Sequence, residues 1–176
     1  MTGILKVDSI QNPAGSVTVP IGSLDIVLDK WRLASEFTTS GVTLTGWERP
    51  DDATLTTIGT GMSESSGIFT FPQTGVWEVD FLAQLRLASG DVGAGAFMDI
   101  STDSGSNYDH VATGYEGSQG GDAWGSLTLT AIVNVNNAST FRLKILTDSV
   151  LSGSKFMGAT DMNWTTLTVK RLANAQ

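Results

Sequence analysis

The sequence of 176 residues contains no cysteine and a single histidine, His110. A chain without cysteine forms neither a disulfide framework nor a thiolate metal site. One histidine is too few for a histidine-rich metal site, and no Gly-x-Ser-x-Gly motif marks a serine nucleophile. The sequence therefore predicts a protein that is not an enzyme, with no catalytic residue and no cofactor, and His110 is expected on the surface of a strand.

Basic residues and long apolar runs are also scarce. Ten Lys and Arg residues stand against eighteen Asp and Glu residues, which gives a formal net charge of −8. Phosphate binding needs a basic stripe, so no nucleic-acid partner is expected. No apolar run approaches the roughly 18 residues of a membrane span, and the first residues lack the pattern of a signal peptide. These absences predict synthesis in a cytoplasm without membrane insertion.

Apolar and polar residues alternate through most of the chain after position 38. The clearest case is 76–87, where Trp77 and Phe81 alternate with Glu78 and Asp80. This period of two is typical of half-buried antiparallel strands. The pattern recurs in three later segments, 126–136, 141–145 and 164–172. With turns rich in Gly, Asn, Asp and Ser between them, these strands predict a single all-β domain, a sandwich or a barrel.

Residues 23–35 are compatible with two structures. Their apolar residues have helical spacing and Ser23 is a suitable N-cap, which favours a helix. A strand over 30–37 fits the same stretch equally well.

Residues 1–22 differ from the rest of the chain. The segment is short, is interrupted at 12–15 by an Asn-Pro-Ala-Gly turn signal, and has Pro20 inside a β-like run. Proline inside such a run favours an edge strand or an extended arm. We interpret 1–22 as an extended docking arm and 23–176 as the head, the alternative being a first strand of the main sheet. The apolar residues expected to anchor the arm are Leu5, Val7, Ile10, Val17 and Val19.

The segment 67–77 carries a pattern of aromatic residues around a Pro-x-x-Gly turn. Phe69 and Phe71 precede Pro72 and Gly75, and further aromatic residues follow the turn. Proline fixes φ, glycine permits a tight turn, and the flanking rings fill a sandwich. In this pattern the chain resembles C1q/TNF-like jelly rolls, which implies eight to ten strands and a homotrimer. The residues expected in the core or the trimer interface are Phe69, Phe71, Trp77, Phe81 and Trp164.

Three further parts of the sequence resemble small structural proteins of tailed bacteriophages, especially those of marine and cyanobacterial hosts. They are 5–12, then 31–33 taken with 59–67, and finally 167–172. This resemblance implies a place on the virion, as a capsid decoration, a fibre head or a short head or tail appendage. The expected partners are then two further copies of the chain and other virion proteins. The alternative function is a module that binds a glycan on the host surface.

Two sets of residues are candidates for ligand contacts. Asp99, Ser101 and Asp103 place oxygen atoms at alternate positions, as at the start of a calcium loop, although Ser104 and His110 stand where that loop needs Gly and Glu. A hairpin turn explains the same residues without a metal. Loop tryptophans can stack on sugars, which makes two of them candidates for glycan contact, Trp47 and Trp124.

Overall fold

The computed structural model describes residues 26–151 and 153–176 in full, and the backbone of Ser9–Gln11 and Thr18–Pro20. These residues form strands and no helix, so the all-β prediction is confirmed. The strands are β1 (Ser9–Gln11), β2 (Thr18–Pro20), β3 (Leu28–Leu33), β4 (Trp47–Glu48), β5 (Thr57–Ile58), β6 (Ser63–Ser65), β7 (Ile68–Thr70), β8 (Gly75–Leu87), β9 (Gly93–Ser101), β10 (Asp109–Gly117), β11 (Ala123–Val135), β12 (Arg142–Asp148), β13 (Lys155–Phe156) and β14 (Thr166–Ala173).

Two antiparallel sheets form the sandwich. The five-stranded sheet has the order β10-β9-β12-β7-β6. The seven-stranded sheet has the order β11-β8-β14-β3-β4, with β13 also paired to β8 and β5 to β3. Strand β8 is paired with β11 along its whole length, from Gly75 opposite Val135 to Leu87 opposite Ala123.

Strand β3 settles the structure of the ambiguous stretch within the described residues. Leu28–Leu33 is extended and lies between β14 and β4, so the helix alternative is wrong there. Trp31 and Leu33 are buried on one side and Arg32 on the other, which is the alternation of a strand covered on both faces.

The core is built from the aromatic residues that the sequence singled out. Phe69, Phe71, Trp77 and Phe81 are each at most 2% exposed. Trp77 packs edge-to-face on Phe71 with ring centroids 5.4 Å apart, and Trp31 packs on Phe69 at the same distance. Four of the five residues assigned to the core or the interface therefore lie in the core.

The Pro-x-x-Gly turn lies between β7 and β8, where the jelly-roll resemblance places it. Gly75 begins β8 directly beside the bulge of β14. A β-carbon at Gly75 would lie 2.5 Å from Arg171 Nε and 2.8 Å from the carbonyl oxygen of Ala173. Glycine is needed here because the backbones approach closely.

The described part of the N-terminal segment is a small hairpin. Strand β1 pairs only with β2, and Ile10 lies opposite Val19. These two segments run antiparallel to each other and pair with no described strand of the main sheets, and the docking arm at 1–22 stays a prediction. The other expected anchoring residues, Leu5, Val7 and Val17, lie outside the described residues.

A buried carboxylate holds one end of the seven-stranded sheet to its loops. Asp29 is fully buried and accepts hydrogen bonds from Trp31 Nε1 (2.9 Å), Arg49 Nε (2.9 Å), Thr57 Oγ1 (3.1 Å) and the Met62 amide (2.7 Å). The Arg49 guanidinium also lies 4.2 Å above the Trp31 ring. A buried charge is tolerated when it is paired and hydrogen-bonded in this way.

We expect Gly61→Ala to destabilise the protein through this network. The added β-carbon would lie 2.7 Å from Asp29 Oδ2 and 2.8 Å from Arg49 Nη2, and forced overpacking of this kind costs about 1–3 kcal/mol. The matched control is Gly121→Ala, where the β-carbon meets nothing within 4 Å. Urea unfolding of both variants measures the difference, and equal midpoints for the two would contradict the role given to the Asp29 network.

Candidate functional site

The outer face of the seven-stranded sheet carries exposed apolar side chains. Leu82 projects from β8, and Trp124 and Ile132 project from the neighbouring β11; they are 43%, 55% and 62% exposed. Alternate residues of both strands face the core, and the outward positions of β11 between Trp124 and Ile132 carry polar side chains, namely Ser126, Thr128 and Thr130. We call this outer surface the apolar face.

Trp164 joins Trp124 at one end of the apolar face. The two indoles stack with centroids 5.6 Å apart and an interplanar angle of 25°. Beside them is a shallow groove of about 320 Å³, lined by Leu82, Gln84, Met162, Asn163 and Trp164. Trp164 is thus half-buried at the surface and, unlike the other four residues of its predicted group, lies outside the core. No sequence spacing connects positions 124 and 164, so this contact was not predicted.

The middle of the apolar face carries one lysine that pairs with two carboxylates. Lys170 Nζ lies 2.9 Å from Asp80 Oδ2 and 3.3 Å from Glu78 Oε1, and Thr130 Oγ1 donates to Asp80 over 3.0 Å. Partial burial works against ionisation, but the hydrogen bonds from Lys170 and Thr130 hold the pKa of Asp80 below its usual range. Lys170 thus pairs with both carboxylates, and the cluster as a whole retains one excess negative charge.

A buried arginine fixes a loop beside the apolar face. Arg32 bonds Glu48 (2.7 Å) and Asp51 (2.6 Å), and its Nη1 lies 3.6 Å from Asp52. Burial would lower the pKa of Arg32, but the hydrogen bonds to Glu48 and Asp51 outweigh burial and raise it. Nothing in the sequence connects positions 51 and 52 with position 32, so this contact was not predicted.

Trp47 lies in the core. Its ring packs on Phe69 at 5.7 Å and on Phe81 at 6.4 Å between centroids, and its Nε1 donates to the Leu44 carbonyl oxygen (2.9 Å). A ring that is 8% exposed offers no free face to a sugar. The expected glycan contact at Trp47 is therefore corrected, whereas Trp124 is exposed as expected.

The calcium candidate residues have separate roles. Ser101 Oγ donates to Asp103 Oδ1 (2.7 Å), and Asp103 also accepts from the amide and the side chain of Asn107. Asp99 instead faces His110 Nδ1 at 2.5 Å and Lys144 Nζ at 3.7 Å. The hairpin-turn interpretation accounts for Ser101 and Asp103. Within the described ranges no group of three or more His, Cys, Asp or Glu side chains is placed to hold a metal.

His110 lies near the start of β10, with its side chain 55% exposed. Besides Asp99, it contacts the Phe97 ring, on which it stacks at 4.4 Å. The surface position on a strand is as expected. In the part of the chain that the structure describes, no helix is long and apolar enough to span a membrane.

Comparison with known proteins defines the fold. No protein-family model and no curated protein matches the sequence. Among solved structures, an Eiger TNF from S. frugiperda matches with a TM-score of 0.63 over 86% of this chain and 96% of that chain, at 12% identity. The chain has a TNF-like jelly-roll fold. The jelly-roll prediction is thus confirmed. This fold is typically non-enzymatic, and TNF-like proteins commonly form homotrimers.

The turn after β9 gives a prediction about pH. Hydrogen bonds from the amide and side chain of Asn107 and from the Ser101 hydroxyl lower the pKa of Asp103 to about 2. A carboxylate with a lowered pKa in the folded state stabilises the fold above its ordinary pKa, and this contribution is lost as the pH falls towards the folded value. We therefore expect the turn to loosen as the pH falls from about 4 to about 2.

Carboxyl-carbon NMR titration measures this directly. We expect the Asp103 signal to titrate with a midpoint near 2 in the natural chain, and Asn107→Ala to move that midpoint upward. Asn137→Ala is the matched control, since this asparagine forms the turn between β11 and β12 and should leave Asp103 unchanged. A natural-chain midpoint at the ordinary aspartate value would show that these hydrogen bonds do not persist in solution.

Proposed function

We propose that this chain is a non-enzymatic structural protein of a tailed-bacteriophage particle. Three copies form a trimeric jelly-roll head, and the N-terminal arm, 1–22, fastens the head to other virion proteins. The protein decorates the capsid or forms a short appendage of the head or tail. The observation that carries the assembly part of this proposal is the apolar face on a TNF-like fold. The phage part rests on the resemblance of three segments to phage structural proteins.

Two of those resembling segments are neighbours in the fold. Trp31 in β3 lies opposite Leu167 in β14, and Arg32 lies opposite Thr166. The segments 31–33 and 167–172 therefore form adjacent strands of the seven-stranded sheet. Because these two segments are adjacent in the fold, their resemblance to phage proteins is consistent with a shared structural unit.

The apolar face suits burial against two further copies. It exposes Leu82, Trp124 and Ile132, and its central lysine is paired with two carboxylates. A specific interface of standard size buries about 800 Å² on each partner. Closed threefold symmetry lets every copy bury the same two surfaces, which leaves no face open to further growth.

The trimer is tested by light scattering. We expect a native mass near three times the 18.5 kDa of one chain. Ile132→Glu places a charge on the apolar face at a side chain that is 62% exposed, so the fold should persist while the trimer dissociates. The control is Val111→Glu, which adds the same charge to β10 at the edge of the other sheet. A monomeric natural chain would refute the trimer. If the natural chain is a trimer and Ile132→Glu is a trimer too, the apolar face is not the trimer interface.

The N-terminal hairpin supports the anchoring role of the arm. Its two strands are joined by only three residue pairs and pair with no other described strand. An isolated two-stranded hairpin is at best marginally stable in water. Docking on another protein would stabilise this hairpin, for example by strand addition at a neighbouring sheet edge.

Deleting residues 2–20 tests the arm. The two main sheets contain none of the strands removed, so we expect the head to keep its circular dichroism spectrum and its native mass. Incorporation into phage particles, assayed by complementation of a deletion phage, should be lost. Normal incorporation of the shortened head would show that the arm is not the anchor.

The alternative function is a module that binds a host-surface glycan. Trp124 favours it, because the exposed indole lies next to the groove beside Trp164. In the trimer proposed above, the same surface is covered by another copy. Glycan binding that disappears with Trp124→Ala in a monomeric protein would favour the alternative.

A further inference from the structure

The outer face of the five-stranded sheet carries a band of three aromatic rings. Phe97 in β9 lies at its centre. His110 stacks on Phe97 with ring centroids 4.4 Å apart and an interplanar angle of 24°, and Tyr115 meets Phe97 edge-on at 6.2 Å. We call these three residues the aromatic band. It lies on the opposite side of the sandwich from the apolar face and stays accessible in the proposed trimer.

Tyr115 is held flat across the sheet. Its partner in β9 is Gly95, where a β-carbon would lie 2.3 Å from the tyrosine Cδ1 and 2.5 Å from Cε1. The ring therefore occupies the space above Gly95, and its hydroxyl reaches β12 to donate to Asp148 Oδ2 over 2.6 Å. Tyr115 is nevertheless 55% exposed. One face of the ring is against the sheet, and the other is presented to solvent in a fixed orientation.

Hydrogen-bonding groups border the aromatic band. The hydrogen bonds from Tyr115 and Ser149 lower the pKa of Asp148, so its carboxylate is an ionised acceptor beside the ring. His110 uses Nδ1 for Asp99 and makes no hydrogen bond through Nε2 to the described part of the chain. The exposed Thr113 lies between His110 and Tyr115 on β10.

This combination matches one class of ligand. A pyranose ring has an apolar face of C–H groups, which packs on an aromatic ring, and a rim of hydroxyls, which hydrogen-bond to carboxylate, imidazole and hydroxyl groups. The base of a nucleotide also stacks, but the phosphates of the nucleotide are repelled by a chain of net charge −8. An anionic sugar would meet the Asp148 carboxylate. We propose that the aromatic band binds a neutral saccharide, with Tyr115 as the stacking platform.

The site does not depend on the trimer. Its residues belong to β9, β10 and β12 of one chain, so a monomer contains the whole site. In a trimer, three such faces point away from the shared surface, and binding to a polysaccharide becomes multivalent.

The first test is binding of the full-length chain to an array of neutral oligosaccharides and their uronic-acid and sialic-acid counterparts. We expect binding to neutral members. Titration with the strongest neutral binder then gives affinities for the variants. Tyr115→Ala should weaken binding by roughly tenfold or more, and Tyr115→Phe, which keeps the ring, should retain most of it. Leu55→Ala, at an exposed apolar side chain outside both surfaces, should bind as the natural chain does, and Trp124→Ala distinguishes this site from the groove beside Trp164.

Each result bears on the proposal. No binding to any neutral oligosaccharide, or binding to acidic members alone, would overturn it. Loss of binding in Trp124→Ala with full binding in Tyr115→Ala would place the sugar on the other sheet and equally overturn it. Circular dichroism and native mass verify that Tyr115→Ala is folded and assembled. If that variant does not fold, His110→Ala replaces it, with the same expected loss and the same contrary outcome.

Discussion

Both faces of the seven-stranded sheet depend on strand β8, since it pairs with β11 on one side and with β13 and β14 on the other. Its inner residues, Trp77 and Phe81 among them, fill the core, and its outer residues supply the charges and the apolar side chain at the centre of the apolar face. A slip of one residue in its register would exchange the two sets. Core packing therefore fixes which side chains are available for association.

Two buried charges attach the irregular parts of the chain to this framework. Asp29 and Arg32 lie in the same strand, β3, and are both fully buried, each among hydrogen-bonding partners from other elements. Asp29 accepts hydrogen bonds from Arg49, Thr57 and Met62, whereas Arg32 binds the loop that contains Asp51. Because a buried charge stripped of its partner is costly, these two ion pairs tie the loops between β4 and β6 to β3.

Local pattern accounts for what the sequence predicted. The alternation in β8, β11, β12 and β14 depends on neighbours two positions apart, and the turn motif at 72–75 depends on the φ preferences of single residues. The strand assignments and the aromatic core follow from such features. The burial of Trp47 was not predicted because β4 has two residues, too few for any period to be visible.

The features missed are contacts between distant positions. The pairing of Arg32 with Asp51, the stacking of Trp124 on Trp164 and the placement of Tyr115 over Gly95 each join residues from different elements. A single sequence carries no signal for such pairs. Sequence patterns were sufficient to predict the fold class. Which residues form the apolar face and the aromatic band could be read only from the structure.

The glycine under Tyr115 has a consequence for variation of the protein. Gly95 lies within a paired strand, and its neighbours Ala94 and Ala96 are buried in the core. A β-carbon of alanine or serine at position 95 would lie 2.3 Å from Tyr115 Cδ1 and 2.8 Å from the Gly114 carbonyl oxygen, so both the tyrosine ring and the β10 backbone would have to move. The orientation of the exposed ring on β9 and β10 therefore depends on a single glycine, and any larger residue at position 95 would rearrange this surface.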